Sequence, residues 1–137
     1  MRSSLVCILA VAVGCRMSPG VPEKPVPSRV TLEPLCTTDI APGLIVEIRD
    51  ARSGRWIADS ATVTARDGNF VDTLRAGAIV RDGSMRDRYG AYERPGTYAL
   101  EVQRPGYRRW RASGVVLTKG ACHVSTEVLH ADLEPDH

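Results

Sequence analysis

Residues 43–74 read GLIVEIRDARSGRWIADSATVTARDGNFVDTL, and this stretch decides the fold. Leu44, Val46 and Ile48 alternate with Ile45, Glu47 and Arg49. Ala61, Val63 and Ala65 alternate with Thr62, Thr64 and Arg66. Successive side chains of a strand point to opposite faces, so this alternation predicts two strands, each with one buried face. Asp50-Ala51-Arg52-Ser53-Gly54 and Asp67-Gly68-Asn69 are turn signals at their ends. Asp and Asn bond their own backbone there, and Gly supplies positive φ.

The same period continues outward from this stretch. Tyr98, Leu100 and Val102 alternate with Ala99, Glu101 and Gln103. Cys122, Val124, Thr126 and Val128 alternate with His123, Ser125, Glu127 and Leu129, which predicts a last strand with the first set facing the core. Further turn signals stand at Asp82-Gly83-Ser84, Arg94-Pro95-Gly96, Arg104-Pro105-Gly106 and Lys119-Gly120. No segment carries a capped helical period. The expectation is an all-β, antiparallel sandwich of seven strands spanning residues 29–133, followed by a tail at 134–137. Residues 77–95 break the rhythm and read as a ragged edge strand with a long loop, the place where a specific contact is expected.

The first residues carry an address. Met1-Arg2-Ser3-Ser4 is a short basic start, and Leu5 to Val13 is an apolar run too short to span a membrane. Gly14 and Cys15 follow, and this segment resembles a bacterial lipobox. The resemblance implies a signal peptide at 1–14, cleavage before Cys15, and acylation of Cys15, with membrane attachment through the lipid. Arg16, in place of an Asp, implies by the same resemblance the outer membrane. Pro19, Pro22, Pro25 and Pro27 make residues 15–28 a lipidated cysteine and a proline-rich tether, extended at ~3.1 Å per residue.

The chain has 137 residues, four of them cysteines. Cys7 would leave with the signal and Cys15 would carry lipid, so Cys36 and Cys122 remain in an oxidising setting. A Cys36–Cys122 disulfide is expected, with two buried free thiols as the alternative. Eighteen Lys and Arg against sixteen Asp and Glu give a net charge of +2, too balanced for an electrostatic nucleic-acid binder.

Residues 43–74 also resemble the opening of carboxypeptidase-regulatory-like domains: a strand, a D-x-x-[ST]-G turn at Asp50 to Gly54, and an A-x-V-x-A strand at Ala61 to Ala65. Tyr89 to Tyr98 resembles the family's G-x-Y strand entry, and Gln103 to Tyr107 its x-x-G-Y hairpin. The resemblance covers roughly residues 36–130 and implies a transthyretin-like (prealbumin-like) sandwich, in which Gly54, Gly96 and Gly106 take positive φ. Transthyretin-like hydrolases of 5-hydroxyisourate end in Tyr-Arg-Gly-Ser, a tail absent from Leu133-Glu134-Pro135-Asp136-His137.

No catalytic set is legible. His123 has outward phase, and His130 and His137 read as part of a charged tail. Adjacent Cys122 and His123 point to opposite faces, so no zinc site is expected, and no cofactor is called for. A calcium site from Asp82 and Asp87 lacks acidic density. One feature suggests binding: Arg104, Arg108, Arg109 and Arg111 interleave with Tyr107 and Trp110. That pattern fits an acidic polysaccharide, lipid headgroups or a protein partner with Trp110 as anchor, or else two inward rings and four solvated arginines. The expected function is a non-enzymatic, lipid-anchored envelope protein acting as an interaction or ligand-binding module. The alternatives are a small secreted metal-dependent binder or hydrolase using Asp82, Asp87, Tyr89 and Glu93, or a carbohydrate-binding module.

Overall fold

The computed structural model describes residues 35–137. The expected signal peptide, Cys15 and the tether lie outside the described residues. Eight strands run in the order β1 (Leu44–Asp50), β2 (Thr62–Asp67), β3 (Phe70–Thr73), β4 (Arg75–Ala76), β5 (Asp87–Gly90), β6 (Gly96–Gln103), β7 (Trp110–Leu117) and β8 (Glu127–Leu133). They form two four-stranded sheets, β4-β5-β1-β8 and β3-β2-β6-β7. A single 3-10 turn at Ala58–Ser60 is the helical element among the described residues.

The core lies between the sheets. Leu44, Val46 and Ile48 from β1 face Val63 and Ala65 from β2 and Tyr98, Leu100 and Val102 from β6, each at most 2 % exposed. These are the residues whose alternation predicts inward strands. Burying such a face is what drives the two sheets together.

Three expectations are corrected. The sandwich has eight strands rather than seven, because the two-residue β4 pairs with β5 through Arg75↔Tyr89 and Ala76↔Arg88. It is also not wholly antiparallel: β8 runs parallel to β1 from Leu44↔Glu127 to Asp50↔Leu133. Parallel neighbours need a crossover connection, and residues 51–126, which pass through the other sheet, supply it between β1 and β8; residues 118–126 are its last step, from β7 to β8. That crossover also resets the phase of the last strand. Ile45↔Val128 places Val128 outside, 49 % exposed, while Ala131 and Leu133 enter the core. Cys122 therefore precedes the last strand instead of opening it, and His130 lies in β8, not in a tail.

Residues 77–95 are not a ragged edge either. β5 sits between β4 and β1, and its Asp87 is buried. The Asp87 carboxylate accepts from the Ala78 amide at 3.1 Å and from Arg86 Nε at 2.8 Å. The loop can close on it because Gly77 has no side chain; a Cβ there would lie 2.6 Å from the Asp87 carbonyl oxygen.

The two turn motifs of the family resemblance meet at one corner. Asp50 Oδ1 accepts from the amides of Arg52 and Ser53 at 2.9 and 2.7 Å, and Oδ2 accepts the Tyr107 hydroxyl at 2.7 Å. Gly54 and Gly106 take the expected positive φ, +70° and +79°. Gly96 does not; it is small because the Asp67 carboxylate presses where its Cβ would stand. The Tyr107 hydroxyl, then the Ser53 amide, hold the Asp50 pKa down at about 2, from 3.8. A depressed carboxylate stabilises the fold above its unfolded pKa and ceases to do so as pH falls through the folded one. Tyr107→Phe should therefore lower the urea midpoint at pH 6, with the gap to the parent narrowing between about pH 4 and pH 2. Urea titrations across that range check this; a gap constant with pH would mean that Tyr107 acts by packing alone.

Candidate functional site

The sheet β3-β2-β6-β7 turns one face to the core and the other to solvent. Its register aligns Thr62↔Gln103, Thr64↔Glu101 and Arg66↔Ala99 between β2 and β6, and Glu101↔Arg111 between β6 and β7. Val63, Ala65, Leu100 and Val102 are buried between these positions, so the aligned residues form the outer face. The β6–β7 ladder shifts register between Tyr98 and Leu100, and Gly114 has φ +72° in the facing strand. A bulge of this kind increases local twist.

That face holds a polar trough. One recess of about 450 Å³ is lined by Thr64, Arg66, Ala99, Glu101, Arg111 and Ser113 among others. A second, of about 670 Å³, continues along the β6–β7 hairpin beside Ser60, Thr62, Arg104, Arg108 and Arg109. Gln103 lines both.

Glu101 sits at the centre of the charge arrangement. It receives Arg111 Nε at 2.8 Å, Arg109 Nε at 3.5 Å and the Gln103 side-chain amide. The hydrogen bond from Arg111, then that from Gln103, keeps its carboxyl below the usual range. Arg66 and Arg108 have no carboxylate partner within salt-bridge distance among the described residues. The trough is thus rich in guanidinium, with the Glu101 carboxylate at its middle and a second carboxylate, Asp136, lining the recess by the hairpin.

The six residues expected to bind divide between two tasks. Arg108, Arg109 and Arg111 lie along the trough. Arg104 is drawn inward: its Nε donates to the Ile57 carbonyl at 2.9 Å, and its guanidinium lies 4.9 Å from the Tyr107 ring. Tyr107 is engaged with Asp50, and both Tyr107 and Trp110 pack against the core. Trp110 lines neither recess and follows the inward reading; the Tyr107 ring borders the second recess, under the Arg104 guanidinium, while Arg108, Arg109 and Arg111 stay on the outer face. Sequence reasoning missed Arg66, Glu101 and Gln103 as members of the site. Their outward phase was readable; their adjacency across β2, β6 and β7 was not.

The groups expected of a 77–95 site do not converge. Asp82 caps its own turn by accepting from the Ser84 amide at 2.9 Å. Tyr89 stacks edge-on against Tyr92 at 6.0 Å. Glu93, with φ +48°, accepts from the amides of Ala41 and Val124 at 2.8 and 3.2 Å. No group of three or more His, Cys, Asp or Glu among the described residues is placed to hold a metal ion.

His123 has partners that the sequence did not suggest. Its Nδ1 lies 2.8 Å from Glu93 Oε1 and its Nε2 lies 3.2 Å from the Thr37 hydroxyl. A hydroxyl, an imidazole and a carboxylate in that order resemble a nucleophile with its base. None of the three lines either recess of the trough. The array instead ties together the segments that carry Cys36 and Cys122, which are bonded to each other. His130 pairs with Glu47 at 3.0 Å on the other sheet.

The chain matches no protein-family model and no curated protein sequence.

Proposed function

We propose that this is a non-enzymatic, lipid-anchored cell-envelope protein whose β-sandwich is a ligand-binding module of the transthyretin-like, carboxypeptidase-regulatory-like kind. The observation that carries the binding reading is the trough on the β2-β6-β7 face, where arginines outnumber the carboxylates of Glu101 and Asp136. A charge excess gathered on one face of a near-neutral domain is suited to an anionic partner. In support of the fold family, the D-x-x-S-G turn and the G-Y hairpin bond to each other through Asp50 and Tyr107. In support of an envelope location, the Cys36–Cys122 bridge suits an oxidising compartment. Lipid on Cys15 would hold the module at a membrane, outer rather than inner, and the partner would be an envelope polysaccharide or protein rather than nucleic acid. The metal-binding and hydrolase alternatives gain no support, because Asp82, Asp87 and Glu93 are engaged within the fold.

Two measurements test this. Metabolic labelling with a fatty-acid analogue should mark the full chain and vanish in Cys15→Ser; persistence of the label would end the lipoprotein reading. Replacing Arg108 and Arg109 with Ser should weaken retention of the protein by isolated envelope fractions. Unchanged retention would remove the hairpin arginines from the site.

A further inference from the structure

Glu101 occupies the place where a ligand's anion would sit. One carboxylate is shared by Arg111, Arg109 and the Gln103 amide, in a recess whose other charged members are arginines, and a second carboxylate, Asp136, lines the adjoining recess. Arg66 and Arg111 stand on strands two positions apart in the sheet, with Ala99 and Ser113 on the floor. Neighbouring strands are about 4.7–4.9 Å apart, so the walls are roughly 10 Å apart at the backbone. That width admits one extended polymer chain, not a folded surface. The lining also carries hydroxyls from Ser60, Thr62 and Thr64 and the Gln103 amide; Trp110 lines neither recess, and the Tyr107 ring that borders the second already holds the Arg104 guanidinium at 4.9 Å.

We propose that the β2-β6-β7 trough binds a carboxylate-bearing polysaccharide, with Arg66, Arg109 and Arg111 receiving its carboxylates and Glu101 acting as a built-in competitor. The inference deepens the ligand-binding reading above and rests on it. Planar guanidinium forks match carboxylates bidentately, and short hydroxyl and amide side chains match sugar hydroxyls. An acidic peptide would also present carboxylates, but it lacks the hydroxyls that the Ser60, Thr62, Thr64 and Gln103 side chains would match. With Glu101 in place, the free protein satisfies Arg109 and Arg111 internally, and an incoming carboxylate must displace that contact. Removing the Glu101 charge therefore predicts a gain of affinity, which a generally sticky basic surface would show only weakly.

The test measures binding of the full chain to an alginate oligosaccharide by calorimetry, beside a neutral malto-oligosaccharide and oligo-glutamate of equal charge. Alginate should bind and the other two should not. Glu101→Gln should tighten alginate binding by about three- to tenfold. Arg66→Ser with Arg111→Ser should weaken it by roughly tenfold or more. Arg52→Ser with Arg81→Ser, which removes the same charge from turns away from the trough, should leave it unchanged. Equal affinity in the Glu101 and Arg66/Arg111 variants would overturn the trough as the site while leaving a glycan-binding module. Equal binding of oligo-glutamate would overturn the glycan class while leaving the trough. Absence of alginate binding, with envelope retention still dependent on Arg108 and Arg109, would overturn this inference and spare the broader reading. Loss of both would overturn both.

Discussion

Tyr98→Ala is expected to cost about 3–5 kcal/mol, the largest single-residue effect in the sandwich. Tyr98 is fully buried and is the largest such side chain in the core. Its ring meets Phe70 edge-on at 6.4 Å, so truncation removes both apolar burial and a favourable ring pair. Its hydroxyl donates to the Arg94 carbonyl at 3.0 Å and accepts from Arg94 Nη1 at 3.0 Å. Arg94 in turn pairs with Asp67 at 2.6 Å and lies 4.0 Å from the Phe70 ring centroid. Tyr98 therefore joins the apolar interior to a polar latch at the start of β6. At 4–8 °C per kcal/mol, a loss of about 4 kcal/mol lowers Tm by roughly 15–30 °C. Tyr98→Phe should cost less, about 1–3 kcal/mol, because it keeps the volume and loses the two hydrogen bonds to Arg94. Val71→Ala, at a half-exposed position of β3, should fall within about 0.5 kcal/mol of the parent. Thermal and urea unfolding followed by circular dichroism separates these cases. A Tyr98→Ala protein as stable as Val71→Ala would show that this ring does not carry the core.

Much of that core was readable from alternation alone. Leu44, Val46 and Ile48, and likewise Tyr98, Leu100 and Val102, face inward because the two-residue period of a strand is a local steric fact. Partnership is not local. Nothing in residues 127–133 states that they pair parallel with β1, and that pairing turns Val128 outward and Ala131 inward. Position within a sheet is equally hidden: residues 87–90 look polar, yet β5 lies between β4 and β1 because Gly77 lets a loop cover Asp87. The candidate site divides the same way. Arg108, Arg109 and Arg111 were legible because they cluster in sequence. Arg66 and Glu101 were not, because the trough exists only once β2, β6 and β7 are side by side. The Thr37, Glu93 and His123 array needs the disulfide and a positive-φ turn to assemble, neither of which alternation encodes.

Removing the disulfide is the other large effect. Cys36 and Cys122 lie 86 residues apart in sequence with Cα atoms 5.1 Å apart. On the chain-entropy model, closing a loop of that size in the unfolded chain is worth about 4–5 kcal/mol, and measured bridges often deliver less. The paired Cys36→Ser, Cys122→Ser chain is therefore expected to lose about 3 kcal/mol, or roughly 12–24 °C in Tm. The loss should have a local signature as well. The bridge holds the segment before β1 against the crossover before β8, where Glu93 binds the amides of Ala41 and Val124 and His123 meets Thr37. Without the bridge these contacts must order two exposed segments unaided, so hydrogen exchange at Ala41 and Val124 should quicken more than at Val46 in the buried β1. A Tm within about 1–2 °C of the parent would mean that the unfolded chain is not constrained by the link. Thiol titration of the full chain, denatured without reductant, gives an independent check: at most Cys7 and Cys15 should react, and reaction of all four cysteines would remove the bridge from the protein.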